Sequence, residues 1–123
     1  MILVDTSVWI DYLRTGDAPL SALLNEGRVL THSFVTGELA LGNLRDRRIV
    51  LDAMRNLPQA DVATDDEVLR FTESESLFGI GIGYVDAHLL AAVRLTHGAL
   101  LWTRDKRLLA AATRLCLAAG LPH

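Results

Sequence analysis

Met1-Ile-Leu-Val-Asp-Thr-Ser-Val-Trp-Ile10 opens the chain with a short apolar run that stops at an acid and passes into a helical pattern. Four apolar residues are too few for a helix, so Met1 to Val4 reads as a buried strand ending at Asp5. A helix then fits Ser7 to Arg14. The same order recurs at Ala99 to Thr103, where a strand is followed by Asp105 and a helix over Lys106 to Arg114. Arg28 to Thr31 reads as another strand, and Ser33 as the cap of a helix to about Leu41. Helices also fit Pro19 to Glu26, with Asp17 as cap and Pro19 in the first turn, and Leu44 to Asn56. A strand fits Ala60 to Ala63, and a weak last one follows Leu115. Thr64-Asp-Asp-Glu67 is a capping box that opens a helix to about Phe78. A further helix runs from Tyr84 to His97, where Gly98 stops it. Strands alternating with crossover helices predict an α/β fold with a central parallel β-sheet flanked by helices on both faces. No repeat, linker or change of composition divides the chain, so a single domain over 1–123 is expected.

Composition agrees with a packed domain: 50% of the 123 residues are hydrophobic and 22% charged. Cys116 is the only cysteine, so no internal disulfide can form, and a reducing compartment is expected. Its neighbours Leu115, Leu117 and Ala118 predict a buried thiol. No run of 18 apolar residues offers a membrane span, and the start lacks the basic segment of a secretory signal. The expectation is a soluble, cytoplasmic protein.

In a parallel sheet, ligands bind beyond the carboxyl ends of the strands, where Asp5 and Asp105 fall. Taken singly, Asp105 reads more readily as a helix cap than as a ligand. Asp5 fits that role less well, because Thr6 and Ser7 already offer capping oxygens beside it. Asp86, in Tyr84-Val-Asp-Ala-His88, suits the positive end of a helix. Glu38 has no such explanation, since its neighbours Phe34, Val35, Leu39 and Leu41 are apolar and an unpaired charge near a core is costly. Four carboxylates at one sheet edge would repel one another unless a cation neutralised them. An all-oxygen set selects hard ions such as Mg²⁺ or Mn²⁺ over zinc.

Val4-Asp-Thr-Ser-Val-Trp-Ile10, Val35-Thr-Gly-Glu-Leu-Ala-Leu-Gly42, Asp86-Ala-His-Leu-Leu-Ala-Ala92 and Leu101-Trp-Thr-Arg-Asp105 resemble, in order, the four acidic motifs of PIN-domain ribonucleases. The resemblance is closest to the VapC-like toxins of type II VapBC toxin–antitoxin systems, and it spans nearly the whole chain. It implies a PIN-like fold and a metal-dependent endoribonuclease. Asp5 and Asp86 would be the principal Mg²⁺ ligands, Glu38 and Asp105 would complete the pocket, and Ser7 and Thr103 would orient carboxylates or waters. It further implies hydrolysis of structured RNA, such as tRNA or rRNA, by metal-activated water, leaving a 5′ phosphate and a 3′ hydroxyl and halting translation. A cognate VapB-like antitoxin whose tail fills the active-site groove, and a homodimer, belong to the same expectation.

Net charge is −3, unusual for a nucleic-acid binder. With four acids set aside for a metal, 12 basic side chains face 11 acidic ones, and the balance turns to +1. Arg104, Lys106 and Arg107 flank Asp105 and are the candidate RNA contacts. Arg45, Arg47 and Arg48 read equally well as a phosphate-binding knot or as a solvated face. His88 is two residues from Asp86 and so points away from it on a helix. Neither it nor His32, His97 or His123 is assigned catalysis. Gly79-Ile-Gly-Ile-Gly83 follows a helix and lacks the phosphate-loop spacing, so it reads as a flexible approach to the Asp86 helix. Trp9, Tyr12 and Leu13 read as core, although an apolar face for a partner helix would have the same sequence.

Two other classes compete. A phosphoryl-accepting receiver module needs paired acids after its first strand and a lysine at the end of a late one. Asp5 stands alone, Asp61 lies within its candidate strand, and Lys106 lies beyond Asp105. A non-cutting PIN-like scaffold that binds RNA or a partner would retain the fold without catalysis.

Overall fold

The computed structural model describes residues 1–123. Its sheet is built on β1 (Ile2–Val4), which lies between β2 (Val29–Leu30) and β3 (Leu100–Trp102) and is parallel to both. Ile2 and Leu3 register with Val29 and Leu30, and Ile2, Leu3 and Val4 register with Leu100, Leu101 and Trp102. Buried side chains on both faces suit a strand covered on each side, which is why these segments read as continuous apolar runs. Single parallel bridges extend both edges, Gln59 beside Thr31 and Ala118 beside Leu101.

β1 leads through α1 (Thr6–Thr15) and α2 (Ala18–Asn25) to β2 on one side. β2 leads through α3 (Ser33–Leu41), α4 (Arg47–Asn56), α5 (Asp65–Ser74) and α6 (Tyr84–Leu95) back to β3 on the other, and α7 (Lys106–Arg114) follows. Because the direction reverses at β1, right-handed crossovers place these two sets of helices on opposite faces. The reversal also makes the carboxyl end of β1 the crevice of the sheet. One cluster of 25 buried residues, including Leu3, Val8, Leu20, Leu89, Leu101 and Leu108, joins the sheet to its helices. No helix is long and apolar enough to cross a membrane.

Several elements differ from expectation for local reasons. The strand expected at Ala60 to Ala63 does not form. After Ala60 donates its N–H to the Thr31 carbonyl at 2.8 Å, the Asp61 N–H turns to Thr96 Oγ1 and the Thr64 capping box starts α5. α5 ends at Ser74 rather than Phe78, because Ser76 takes φ +54° and Leu77 folds back into the core. α4 begins at Arg47 rather than Leu44, after Asp46 at φ +50°. Cys116 is exposed, not buried, in the left-handed turn that ends α7. The cap of α3 is His32, not Ser33: its Nδ1 accepts the Phe34 N–H at 3.0 Å.

His32 is fully buried and packs edge-on against Phe34, which in turn packs against buried His88. Burial, and secondarily the charge of His88, lowers the His32 pKa to about 4. Above about pH 6.5 both the folded and the unfolded chain hold this ring neutral. Between 6.5 and 4 only the unfolded chain takes up the proton, so stability falls as pH falls through that window. The full loss is on the order of 3 kcal/mol. His32→Asn keeps a capping acceptor without the titration. Urea unfolding at a series of pH values is expected to show a shallower acid decline in this variant than in the parent chain.

Candidate active site

Asp5 sits where β1 ends, and its N–H still donates to the Trp102 carbonyl at 2.9 Å, so the sheet ladder fixes its backbone. It occupies the N-cap position of α1 but makes no side-chain capping bond. Its carboxylate, 6% exposed as a residue, accepts Ser7 Oγ at 2.7 Å and Thr103 Oγ1 at 2.8 Å, both at Oδ2. Ser7 Oγ also accepts the Arg104 N–H at 3.0 Å, and Thr103 Oγ1 accepts the Asp105 N–H at 3.1 Å. The two hydroxyls thereby tie the end of β1 to the turn after β3.

Asp105 caps α7, with Oδ1 accepting the Leu108 N–H at 2.9 Å. Asp86, in the first turn of α6, accepts the Gly83 N–H at 3.1 Å through Oδ2. Glu38 lies on the exposed side of α3, not near the core as its apolar neighbours imply, and Oε1 accepts Thr6 Oγ1 at 2.7 Å. Thr6 is thus more than a spare capping residue.

The four acids share one electrostatic field. Burial pushes the Asp86 carboxyl above its ordinary range, and the charges of Asp5, Asp105 and Glu38 push it further, against the lowering effect of the Gly83 N–H. No three of them close into a coordination shell. The donor chemistry nevertheless fits a hard divalent cation: the set offers carboxylate and hydroxyl oxygens and no cysteine or histidine, and the repulsion among its acids is relieved by positive charge.

The basic residues divide. The Arg104 guanidinium, a candidate RNA contact from sequence, is already paired within the fold. It donates to Asp11 Oδ2 at 2.8 Å and to Asp17 Oδ2, and lies over the Trp102 ring, 5.4 Å from its centroid. Although burial opposes ionisation, hydrogen bonds from Arg104 and Leu20 hold the Asp17 carboxyl below its usual range. Lys106 and Arg107 are exposed beside Asp105. Arg47 turns onto the Ala40 and Gly42 carbonyls at the end of α3. His88 faces away from the acids and meets Asp65 Oδ1 at 3.3 Å, where Tyr84 also donates its hydroxyl at 2.8 Å.

A buried acidic residue at the crevice of a parallel sheet, with three further acids in its field, suits metal-assisted phosphoryl transfer. The PIN domain profile matches residues 2–114, and the chain belongs to the PIN-domain family, in its VapC-like branch. It is 55% identical over 111 residues to Ribonuclease VapC32 of Mycobacterium tuberculosis, in both the CDC 1551 / Oshkosh and the ATCC 25618 / H37Rv strains, covering 90% of each chain. The fold also matches FitAcB from Neisseria gonorrhoeae, with TM-score 0.63 and 21% identity over 92% of this chain and 94% of that one. A structure of FitAB bound to an IR36 DNA fragment matches with TM-score 0.64 and 20% identity over 100% and 99%.

Arg104→Ala would leave Asp11 and Asp17 without their cation. It is expected to lower stability by about 2 kcal/mol, read as a lower urea midpoint at unchanged slope. The salt dependence of RNA binding is expected to stay that of the parent chain.

Proposed function

We propose that the protein is a VapC-type endoribonuclease toxin that cuts structured RNA, tRNA or rRNA, with Mg²⁺ as its cation and Mn²⁺ as a workable substitute. The observation that carries this reading is the placing of Asp86 in the field of three other acids, drawn from the starts of α1 and α7 and from α3; burial first, and then their charges, push its carboxyl above the ordinary range. The 55% identity to a protein named Ribonuclease VapC32 supports the RNA substrate.

In this reading Asp5 and Asp86 are the principal ligands, and Glu38 and Asp105 complete the set directly or through water. A divalent cation held by these acids would supply charge neutralisation at the attacked phosphate and lower the pKa of a water there. Ser7 and Thr103 keep Asp5 Oδ2 occupied, which turns the carboxylate in a fixed direction. Thr6 steadies Glu38 from the neighbouring helix. Lys106 and Arg107 contact the RNA backbone, and hydrolysis leaves a 5′ phosphate and a 3′ hydroxyl.

A VapB-like antitoxin is the proposed inhibitor, working in the cytoplasm on a toxin homodimer. A groove of about 830 Å³ supports a protein partner. It begins at Glu38 and is lined by Ile10, Leu13, Leu44, Ile49 and Val50, of which Ile10, Leu13 and Ile49 are exposed.

Incubating total cellular RNA with the purified chain and Mg²⁺ or Mn²⁺, then mapping new 5′ ends, tests the activity. Discrete ends are expected, and they are expected to vanish with EDTA or in Asp86→Asn, together with Mn²⁺ binding measured by titration calorimetry. Intact RNA from folded protein free of antitoxin would favour the non-cutting scaffold.

A further inference from the structure

Arg107 differs from its neighbour Arg104. Arg104 is occupied by Asp11 and Asp17, whereas Arg107 enters no ion pair and is exposed two residues after Asp105. Its side chain runs across Gly81, in the loop that leads to Gly83 and Asp86. A Cβ on Gly81 would stand 2.7 Å from Arg107 Nη1, 2.8 Å from Cδ and 3.1 Å from Cζ. The first two separations are shorter than Cβ contacts allow, so an alanine at 81 would push the flexible Arg107 side chain off this path. Gly81 also has φ +85°, which favours glycine independently.

The side chain therefore bridges the start of α7, where Asp105 is the cap, and the loop before α6, where Asp86 is in the first turn. An exposed guanidinium that runs along this loop and enters no ion pair is placed to receive an anion from solution. Its planar fork matches two oxygens of a phosphate.

We propose that Gly81 is a positioning residue for Arg107, and that the two form a docking notch for an RNA phosphate adjoining the one attacked. The inference rests on the nuclease reading and deepens it by naming what orients the RNA strand. The glycine loop thereby gains a definite role. It receives the arginine, and the arginine, rather than the loop's own N–H groups, receives the phosphate.

The proposal is tested by binding of a fluorescein-labelled oligouridine 12-mer, followed by anisotropy in Ca²⁺ across a series of KCl concentrations. Arg107→Ala is expected to weaken binding about tenfold, the loss of one charge-assisted contact. It is also expected to flatten the slope of log Kd against log salt by about 0.7, one phosphate of a single strand. Gly81→Ala is expected to reproduce both effects with Arg107 still present, and the double variant to bind no more weakly than Arg107→Ala alone. Arg107→Lys in the parent background is expected to recover the salt slope but not the full affinity. Parent-like binding by Gly81→Ala, or additive losses in the double variant, would overturn the positioning role. An unchanged slope in Arg107→Ala would overturn the docking role. No binding of the oligouridine by the parent chain would overturn this inference, whereas the nuclease reading stands or falls on the cleavage of total cellular RNA. Should Gly81→Ala not fold, NMR relaxation of the Arg107 Nε–H in the parent chain decides. An order parameter near 0.85 supports a held side chain, and one below about 0.6 overturns it.

Discussion

The Asp5 carboxylate is buried at the end of a three-residue strand, with no arginine or lysine bonded to it and two hydroxyls bonded to one of its oxygens. An ionised carboxylate in that position is costly unless its lone pairs are met. The partners that meet them, Ser7 and Thr103, come from opposite ends of the sequence. Satisfying Asp5 therefore fixes how β1, α1 and the turn after β3 lie against one another. Ser7 and Thr103 go on to hold the Arg104 and Asp105 backbones, so the geometry of the fourth acid depends on the satisfaction of the first.

Arg104 extends the same constraint outward. Its backbone is held by Ser7 and its side chain by Asp11 of α1 and by Asp17, the residue that caps α2. One residue thus joins the turn beyond β3 to both helices of the first crossover. A cation this close to the acids looks from sequence like an RNA contact, because sequence shows that a charge is near a site and not which partner has already claimed it. Asp11 and Asp17 stand 93 and 87 positions earlier, and only the closed fold brings them within reach.

Apolar runs ending in acids are legible as strands because burial on both faces leaves an unbroken hydrophobic stretch. β1, β3 and α7 lie close to where that pattern puts them, and the α5 capping box is formed as its four residues spell it. The segment at Ala60 to Ala63 misleads because its apolar residues imitate a strand, while Val62 is exposed and the ladder goes no further than the bridge at Gln59. The cap of α3 is hidden because a histidine ring nitrogen takes the place usually given to a serine oxygen. Among the candidate site residues, the capping reading of Asp105 describes a bond the structure contains, and so does the helix-start reading of Asp86. Neither bond excludes a second role, since each uses one carboxylate oxygen. The link from Thr6 to Glu38 is invisible in sequence, since it joins residues 32 apart that share no local pattern.

That economy explains how four acids gather in a chain whose fold must form before any cation arrives. Asp5 stands at the start of α1, Asp86 in the first turn of α6 and Asp105 at the start of α7. Each meets the partial positive charge of a helix amino end, worth roughly 0.3–1 kcal/mol apiece. Asp86 and Asp105 add a direct backbone bond. Glu38 has no helix end to lean on and, like Asp105, is exposed, where water screens its charge. The residual repulsion falls on Asp86, which is half-buried and feels the other three. A set of acids built this way is stable enough to assemble by itself and still holds unrelieved negative charge, and that imbalance is what favours a divalent cation there.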